Sequence, residues 1–178
     1  MPQPDTLLIV GGANAPEIWS PELDTCLLET FETKSSFTLD TVGTIVVSCL
    51  DDKCEKLDDG SWTIMTSTLV NRKEHTSAVF DSKILLVGGS TEPTSTEWVP
   101  LDGSESQIGF TISPGRKAHC SIQPSPNVVI LTGGKGTGDS VTEIILPDGT
   151  QTRDLPSLNS PREYHACGSY ENQGVQVA

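Results

Sequence analysis

The chain has 178 residues, of which 35% are hydrophobic and 20% charged, so it can build a packed core and is not expected to be disordered. Its 24 acidic side chains outnumber 11 basic ones, and the net charge of −13 disfavours DNA, RNA and anionic membrane surfaces as partners. No apolar run approaches the roughly eighteen residues that cross a bilayer, so membrane insertion is not predicted.

The first predicted unit of the chain lacks its first strand. Residues 1–5 have neither the basic stretch nor the apolar segment of a signal peptide, which leaves the compartment, extracellular or cytoplasmic, open. An aliphatic strand then ends in the glycine pair Gly11-Gly12, and a short strand that contains Trp19 follows. Residues 1–33 are therefore predicted to form an incomplete repeat unit.

The second predicted unit, residues 34–70, is degenerate. Its aliphatic strand at residues 44–47 is followed by Ser48-Cys49, where the first unit has its glycine pair. Its last strand is predicted to begin at Trp62, directly after a turn that contains Asp-Gly. The repeat is thus recognisable here but has lost its glycines.

Five cysteines are present, and none has the spacing of a zinc site or of a C-x-x-C motif. Cys49 and Cys54 flank a short turn between two predicted strands, so a disulfide between them is predicted if the compartment is oxidising. Cys120 and Cys167 are predicted instead to be small buried residues on equivalent strands. The odd number leaves at least one thiol unpaired within the chain.

Two predicted units are complete, residues 71–114 and residues 115–160. Each begins with an arginine and, three residues later, a histidine, and each continues into an aliphatic strand that ends in a glycine pair. The motif residues are Arg72, His75, Gly88 and Gly89 in the first unit, and Arg116, His119, Gly133 and Gly134 in the second. Their third strands start with Thr-Glu pairs that lie 46 residues apart, at Thr96 and Thr142.

A third copy of the motif, Arg162 and His165, starts a further unit at residues 161–178. The three arginines are 44 and 46 residues apart, and a period in the forties built from short apolar strands indicates a β-propeller with one four-stranded sheet per repeat. The sequence therefore predicts an all-β fold without long helices. Four-stranded antiparallel sheets are expected around three strand centres, which are Ile45, Leu85 and Val129.

The Arg-x-x-His motif admits a catalytic interpretation, because histidine titrates near neutral pH and arginine binds anions. Three copies at a structural period favour a structural role instead. In that role the arginine binds carboxylates or carbonyls of the adjacent unit, and the histidine bonds the turn before the inner strand. The tryptophans, including Trp62, are likewise predicted to pack between units rather than to bind a ligand.

The glycine pairs are predicted to serve packing. Where neighbouring sheets converge on a central axis, a side chain on the inner strand would collide with the next sheet. Glycine also adopts backbone angles that are closed to other residues. Ser48-Cys49, in place of a glycine pair, implies a locally wider spacing or a disulfide that compensates for it.

Together these residues resemble the kelch repeat, in which an arginine-containing turn precedes an aliphatic strand closed by Gly-Gly and a tryptophan lies in or near the fourth strand. Residues 7–12, 84–89 and 128–134 match the glycine-ended strand, and Trp62 matches the tryptophan, whereas the usual third-strand tyrosine is missing. The resemblance covers nearly the whole chain. It implies a six- or seven-bladed propeller, of which about four blades are present, so an incomplete or open kelch-type β-propeller segment is expected.

The resemblance further implies a non-enzymatic protein-interaction module that needs no cofactor and has no catalytic or metal-binding residues. A protein partner, or another ligand, is expected to contact the loops between second and third strands, at residues 13–16, 90–95 and 135–140, because loops carry specificity on a rigid scaffold. The alternative is the propeller part of a longer enzyme, an oxidoreductase or a glycan-acting hydrolase, whose catalytic residues lie outside this chain.

Overall fold

The computed structural model of the protein describes residues 7–9, 17–19, 37–42, 45–58, 61–146, 151–169 and 175–177. All of its regular elements are β-strands, so the predicted all-β fold is confirmed. Within these ranges no helix is long and apolar enough to cross a bilayer. The glycine pair Gly11-Gly12 and the predicted loop at residues 13–16 lie outside the described residues.

Fifteen strands are present among the described residues. They are β1 (Leu7–Ile9), β2 (Glu17–Trp19), β3 (Phe37–Val42), β4 (Ile45–Asp58), β5 (Ser61–Arg72), β6 (Thr76–Phe80), β7 (Lys83–Val87), β8 (Ser95–Pro100), β9 (Gln107–Thr111), β10 (Cys120–Ser125), β11 (Val128–Thr132), β12 (Val141–Ile145), β13 (Gln151–Leu155), β14 (Cys167–Ser169) and β15 (Val175–Val177). They form three antiparallel sheets of three or four strands and two separate hairpins, β1–β2 and β14–β15.

Two four-stranded sheets follow the chain order without a crossover. In the β6–β9 sheet and in the β10–β13 sheet, each strand pairs antiparallel with the next. Two residues separate the paired Phe80 and Lys83 in the β6–β7 hairpin, and Asp81 has the positive φ of 48° that such a tight turn requires. Leu85 and Val129, two of the predicted sheet centres, lie on the second strands of these sheets.

The third predicted centre, Ile45, belongs to a sheet of three strands in the order β3-β4-β5. Strand β4 pairs with β3 through residues 45–50 and with β5 from Asp51 onward. The Cα atoms of Cys49 and Cys54 are 4.1 Å apart. Five steps along an extended strand would separate them by roughly 16 Å, so β4 reverses direction between the two cysteines. Its two arms occupy the places of the second and third strands predicted for this unit.

Two clusters of buried apolar side chains hold the three larger sheets together. Strand β7 contributes to both clusters, because successive side chains of a strand point to opposite faces. Ile84 and Leu86 face the β3–β5 sheet, Leu85 and Val87 face the β10–β13 sheet, and all four are fully buried. Burying a side chain of this size contributes about 1.5–3 kcal/mol, so the middle sheet is the centre of the core.

The first strands of successive sheets lie side by side. Strand β3 contacts β6, β6 contacts β10, and β10 contacts β14. Between β6 and β10, the Val79 N–H donates to the Gln123 side-chain carbonyl at 3.2 Å, and the Gln123 amide donates to the Val79 carbonyl at 2.6 Å. The Ser121 hydroxyl donates to the Ser77 carbonyl. Each of these pairs is separated by 44 residues, the spacing of the first two Arg-x-x-His motifs.

Candidate functional site

The three Arg-x-x-His motifs form turns of one backbone shape. Arg72 ends β5, Arg116 lies between β9 and β10, and Arg162 lies between β13 and β14. The residue before each histidine is in the left-handed region, with φ of 58°, 50° and 53° at Glu74, Ala118 and Tyr164. Non-glycine residues adopt this conformation rarely. Its occurrence at the same place in all three motifs shows that they are structurally equivalent.

The Arg72 guanidinium links the β3–β5 sheet to the β6–β9 sheet and is fully buried. It donates to the Gly88 carbonyl at 2.7 Å and to the Ser95 hydroxyl at 2.8 Å. Its Nε also donates to Glu97 Oε2 at 3.3 Å, while Glu97 Oε1 accepts the Leu69 N–H at 2.6 Å. Burial lowers the pKa of Arg72, and the Glu97 carboxylate opposes that shift. The result is a buried ion pair between two sheets.

Arg116 makes the same connection one unit later, and no carboxylate among the described residues forms an ion pair with it. Its fully buried guanidinium donates to the carbonyls of Gly133 and Ser140 at 2.7 and 2.9 Å, and to the Thr142 hydroxyl at 2.6 Å. Burial lowers the pKa of Arg116 to about 10, and the charge of Asp154 partly opposes the shift. Arg116 remains charged at neutral pH and is held by neutral acceptors.

The hydrogen-bond register corrects the sequence alignment of the two third strands by one residue. The sequence aligned Thr96 with Thr142 through their shared Thr-Glu pairs. In the structure the first glycine of each pair donates its N–H to the carbonyl of Ser95 in one sheet and of Ser140 in the other. Glu97 is therefore the equivalent of Thr142, and both contact the arginine of their own unit. The glycine-anchored hydrogen bonds, rather than residue identity, define the equivalence.

The glycine pairs provide space for the turn of the next motif. A Cβ on Gly88 would lie 2.3 Å from the Arg116 carbonyl oxygen, and a Cβ on Gly133 would lie 2.5 Å from that of Arg162. Both glycines also have positive φ, of 63° and 59°. The N–H of the glycine that follows donates to the same carbonyl, at 2.9 and 2.8 Å respectively. Each pair thus binds the turn that it has to accommodate.

The second and third histidines of the motif contact the preceding unit. His119 Nε2 hydrogen-bonds Thr76 Oγ1 at 2.8 Å, and His165 Nε2 hydrogen-bonds Thr132 Oγ1 at 2.9 Å. His75 and His119 are only 8% and 6% exposed. Burial, with repulsion from the nearby arginines, lowers the pKa of His75 to about 4 and of His119 to about 3. Both are neutral at pH 7 and shielded from solvent, which does not suit proton exchange with a dissolved substrate.

The three turns also contact one another, and we call them the turn row. The Ala118 N–H donates to the Glu74 carbonyl and the Tyr164 N–H donates to the Ala118 carbonyl, both at 2.8 Å. The Tyr164 hydroxyl donates to Glu74 Oε1 at 2.5 Å, across two units, and Lys117 Nζ lies 3.8 Å from Glu74 Oε2. The outer two turns therefore curve towards each other.

A cleft of about 270 Å³ lies beside the third turn. One wall is the glycine-rich loop between β11 and β12, which includes one of the predicted contact loops, residues 135–140. The opposite wall is formed by Pro161, Arg162 and Glu163. The Arg162 N–H donates to the Gly138 carbonyl at 2.9 Å and joins the two walls. Unlike the first two arginines of the motif, Arg162 has an exposed side chain.

The other described contact loop, residues 90–95, lies at the same end of its sheet. The Ser90 N–H donates to the Lys73 carbonyl, just as the Lys135 N–H donates to the Lys117 carbonyl, in both cases at 2.8 Å. Each loop is therefore joined to the turn that opens its own unit. The loops at residues 90–95 and 135–140 and the turn row together form one surface, which we call the turn face.

The structure joins four of the cysteines in two disulfides. Cys49 pairs with Cys54, and both are buried in the core between the β3–β5 and β6–β9 sheets. Cys120 pairs with Cys167, so the prediction that these two are unbonded buried residues is wrong. The first strands β10 and β14 lie side by side, which brings the two Cα atoms to 6.0 Å. Cys26 lies outside the described residues.

Trp62 and Trp98 lie on different sheets, and Trp98 packs against the core. Trp62 is half-buried on β5, opposite Leu57 of β4. Trp98 packs edge-on against Phe80, with ring centroids 5.5 Å apart, next to the cluster between the β6–β9 and β10–β13 sheets. In the described part of the chain, no three His, Cys, Asp or Glu side chains are grouped so that they could hold a metal ion.

Comparison of the sequence with protein-family models and with curated proteins gives no match. Among solved structures, the chain is similar to the structure of YjhT, with a TM-score of 0.79 over 99% of this chain and 72% of YjhT. The two sequences are 11% identical, so the similarity is one of fold.

Proposed function

We propose that the chain is a segment of a kelch-type β-propeller of about four blades, in which each larger sheet is one blade. The successive sheets stack in chain order, and their first strands lie side by side as at the axis of a propeller. The contact between Glu74 and Tyr164, two units apart, supports a stack that curves around that axis.

We further propose that the segment is a non-enzymatic interaction module that binds a protein partner on its turn face. Six of the chain's 11 basic residues belong to this surface; they are Arg72, Lys73, Arg116, Lys117, Lys135 and Arg162. Only two of them, the arginines of the first two motifs, are fully buried. The same surface carries four acidic residues, Glu74, Glu92, Asp139 and Glu163, which balance the four accessible basic ones. The preference for a partner segment that presents carboxylates therefore depends on the local charge of the cleft beside the third turn.

The observation that carries the proposal is the cleft beside the third turn. The exposed side chains of Lys135 and Arg162 supply two cations against one anion, Glu163, and the remaining lining is glycine backbone and Pro161. Exposed backbone and charged groups around a small concavity suit the docking of a peptide side chain. The buried arginines and histidines, by contrast, offer a ligand no accessible group.

Site-specific photo-crosslinking tests which face binds. A photoreactive residue at Asp139, in the contact loop, should capture a protein from an extract of the source cells. The same photoreactive residue at Asn127, at the opposite end of the same sheet, serves as the control and should not capture the protein that is captured at Asp139. Capture at Asn127 alone, or at neither position, would contradict the proposal.

The affinity of the captured partner then tests the chemistry. Lys135→Glu should weaken binding at least tenfold, about 1.4 kcal/mol, because it reverses a charge in the cleft. Lys83→Glu makes the same charge change in the β6–β7 hairpin, at the far end of a sheet, and should change the Kd less than twofold. Equal effects of the two variants in titration calorimetry would show that only net charge matters and would overturn the role of the cleft.

A further inference from the structure

The two disulfides differ in their access to solvent. Cys49 and Cys54 are 1% and 0% exposed, so a dissolved thiol cannot reach their sulfur atoms in the folded protein. Cys120 and Cys167 are both partly exposed. Opening a disulfide requires a thiolate to reach one of its sulfur atoms, so access decides which bond reacts first. The structure therefore contains one protected and one reactive disulfide.

The reactive disulfide lies at the end of the cleft wall. Residues 156–166 connect β13 to β14 without forming a strand, and they include Pro161, Arg162 and Glu163 of the wall. Cys167 follows this segment directly and ties it to β10 through Cys120. Opening the bond would release the end of the wall that leads into β14.

Hydrogen bonds also hold the wall in place. The Arg162 carbonyl accepts the Gly134 N–H, His165 Nε2 hydrogen-bonds Thr132 Oγ1, and the Tyr164 hydroxyl donates to Glu74. The N–H groups of Leu158, Arg162 and Tyr164 donate to the loop between β11 and β12 and to the second turn, at 2.7, 2.9 and 2.8 Å. The side chains at residues 159–164 are all exposed, so the segment buries little apolar surface. Segments with few buried contacts and exposed backbone bonds open locally at low free-energy cost. The covalent bond is thus an important restraint on this segment.

We propose that the Cys120–Cys167 disulfide is a redox-sensitive latch that holds the wall of the cleft. A dithiol reductant attacks one sulfur atom through its thiolate and forms a mixed disulfide, and its second thiol then displaces the protein sulfur. Two electrons and two protons pass to the protein, which leaves two cysteine thiols, and the dithiol becomes its own disulfide. The opened latch lets residues 156–166 leave the glycine-rich loop, and the cleft loses one of its two walls.

The order of reduction tests the reactivity. The folded protein is exposed to increasing dithiothreitol, quenched by alkylation, and mapped by mass spectrometry. Cys120 and Cys167 should be alkylated at least ten times faster than Cys49 and Cys54, which serve as the internal control. Reduction of both bonds at one rate, or of the buried bond first, would overturn the latch.

Amide hydrogen exchange tests the consequence for the wall. After selective reduction, exchange in residues 156–166 should accelerate at least tenfold within labelling times that are too short for β7, at the centre of the core, to exchange at all. The Cys120→Ser/Cys167→Ser double variant should reproduce this acceleration without reductant. If that variant fails to fold, the wild-type protein reduced after folding still decides the question. Unchanged exchange in residues 156–166 after reduction would refute the proposal.

Only the effect of the latch on partner binding rests on the proposed function. If reduction accelerates exchange in the wall and weakens binding of the captured partner, both proposals are supported. If exchange accelerates but binding is unchanged, the latch stands and the cleft is not the binding site. Failure of the latch and failure of the cleft as the binding site can therefore be distinguished in one set of samples.

Discussion

Replacing Arg72 by alanine should destabilise the protein more than replacing Arg116, although both arginines are fully buried at equivalent positions. Arg116→Ala removes bonds to neutral acceptors, and two of them keep another donor: the Gly133 carbonyl still accepts the Thr137 hydroxyl, and the Ser140 carbonyl still accepts the Gly133 N–H. The loss is that of charge-assisted hydrogen bonds, about 1–3 kcal/mol.

Arg72→Ala has a different consequence, because it removes the cation that pairs with the buried Glu97 carboxylate. That side chain has no exposed surface and would keep only its bond from the Leu69 N–H among the contacts described above. Removing one partner of a buried ion pair costs about 3–5 kcal/mol, since the remaining charge is left uncompensated. The double variant Arg72→Ala/Glu97→Ala removes both charges and should recover about 1–3 kcal/mol of the loss.

Urea unfolding of the four proteins in the Arg72–Glu97 double-mutant cycle, with Arg116→Ala beside them, measures these differences as changes in the free energy of unfolding. Arg153→Ala is the control, because Arg153 is largely exposed and pairs with Glu143 at the surface, where an ion pair contributes at most about 1 kcal/mol. The reasoning is wrong if Arg72→Ala and Arg116→Ala have equal effects, or if the double variant is no more stable than Arg72→Ala alone.

Three further predictions concern protonation, backbone space and cross-linking. His119 has its ordinary pKa of 6.5 in the unfolded chain and a pKa of about 3 in the native protein. The free energy of unfolding should therefore fall as the pH decreases from 6.5 towards 3, because the unfolded chain binds the proton first. At pH 4 this residue should account for a loss on the order of 3 kcal/mol. His119→Gln should flatten that slope in urea unfolding at pH 7 and 4, and equal slopes would contradict it. Gly133→Ala, whose Cβ would meet a carbonyl at 2.5 Å, should lower the melting temperature strongly, whereas Gly168→Ala, with nothing within 4 Å, should not. Cys167→Ser removes a cross-link between residues 47 apart and should lower the free energy of unfolding by about 4 kcal/mol under oxidising conditions. An unchanged urea midpoint would contradict this prediction.

The strands of the larger sheets could be predicted from the sequence because their signals are local. The aliphatic runs around Leu85 and Val129 are short and bounded by turn residues, and both form second strands of four-stranded sheets. The space requirement at the glycine pairs was also predictable, since a motif repeated at one period has one geometric cause. The predicted collision at Gly88 has a specific partner in the structure, the Arg116 carbonyl.

The side-chain partners between sheets could not be predicted in the same way. The pairing of Arg72 with Glu97 depends on the register of β8 against β7, and a one-residue error in the alignment hides it. The role of Gln123 as a hydrogen-bonding partner for the backbone of Val79 requires knowledge that β6 and β10 are neighbours. Residue identity gave no signal for either contact.

The repeat period nevertheless carries information about these contacts. Ser77 is hydrogen-bonded to Ser121, and Glu74 is hydrogen-bonded to Ala118. The two residues of each pair are 44 positions apart in the sequence, because equivalent positions of successive units meet where the first strands lie side by side. Cys120 and Cys167 are 47 residues apart, close to one period, and each follows the histidine of its own motif by one or two residues. Two cysteines so placed on first strands are candidates for a disulfide from the sequence alone. The signal for the reactive disulfide was therefore present in the spacing of the motifs.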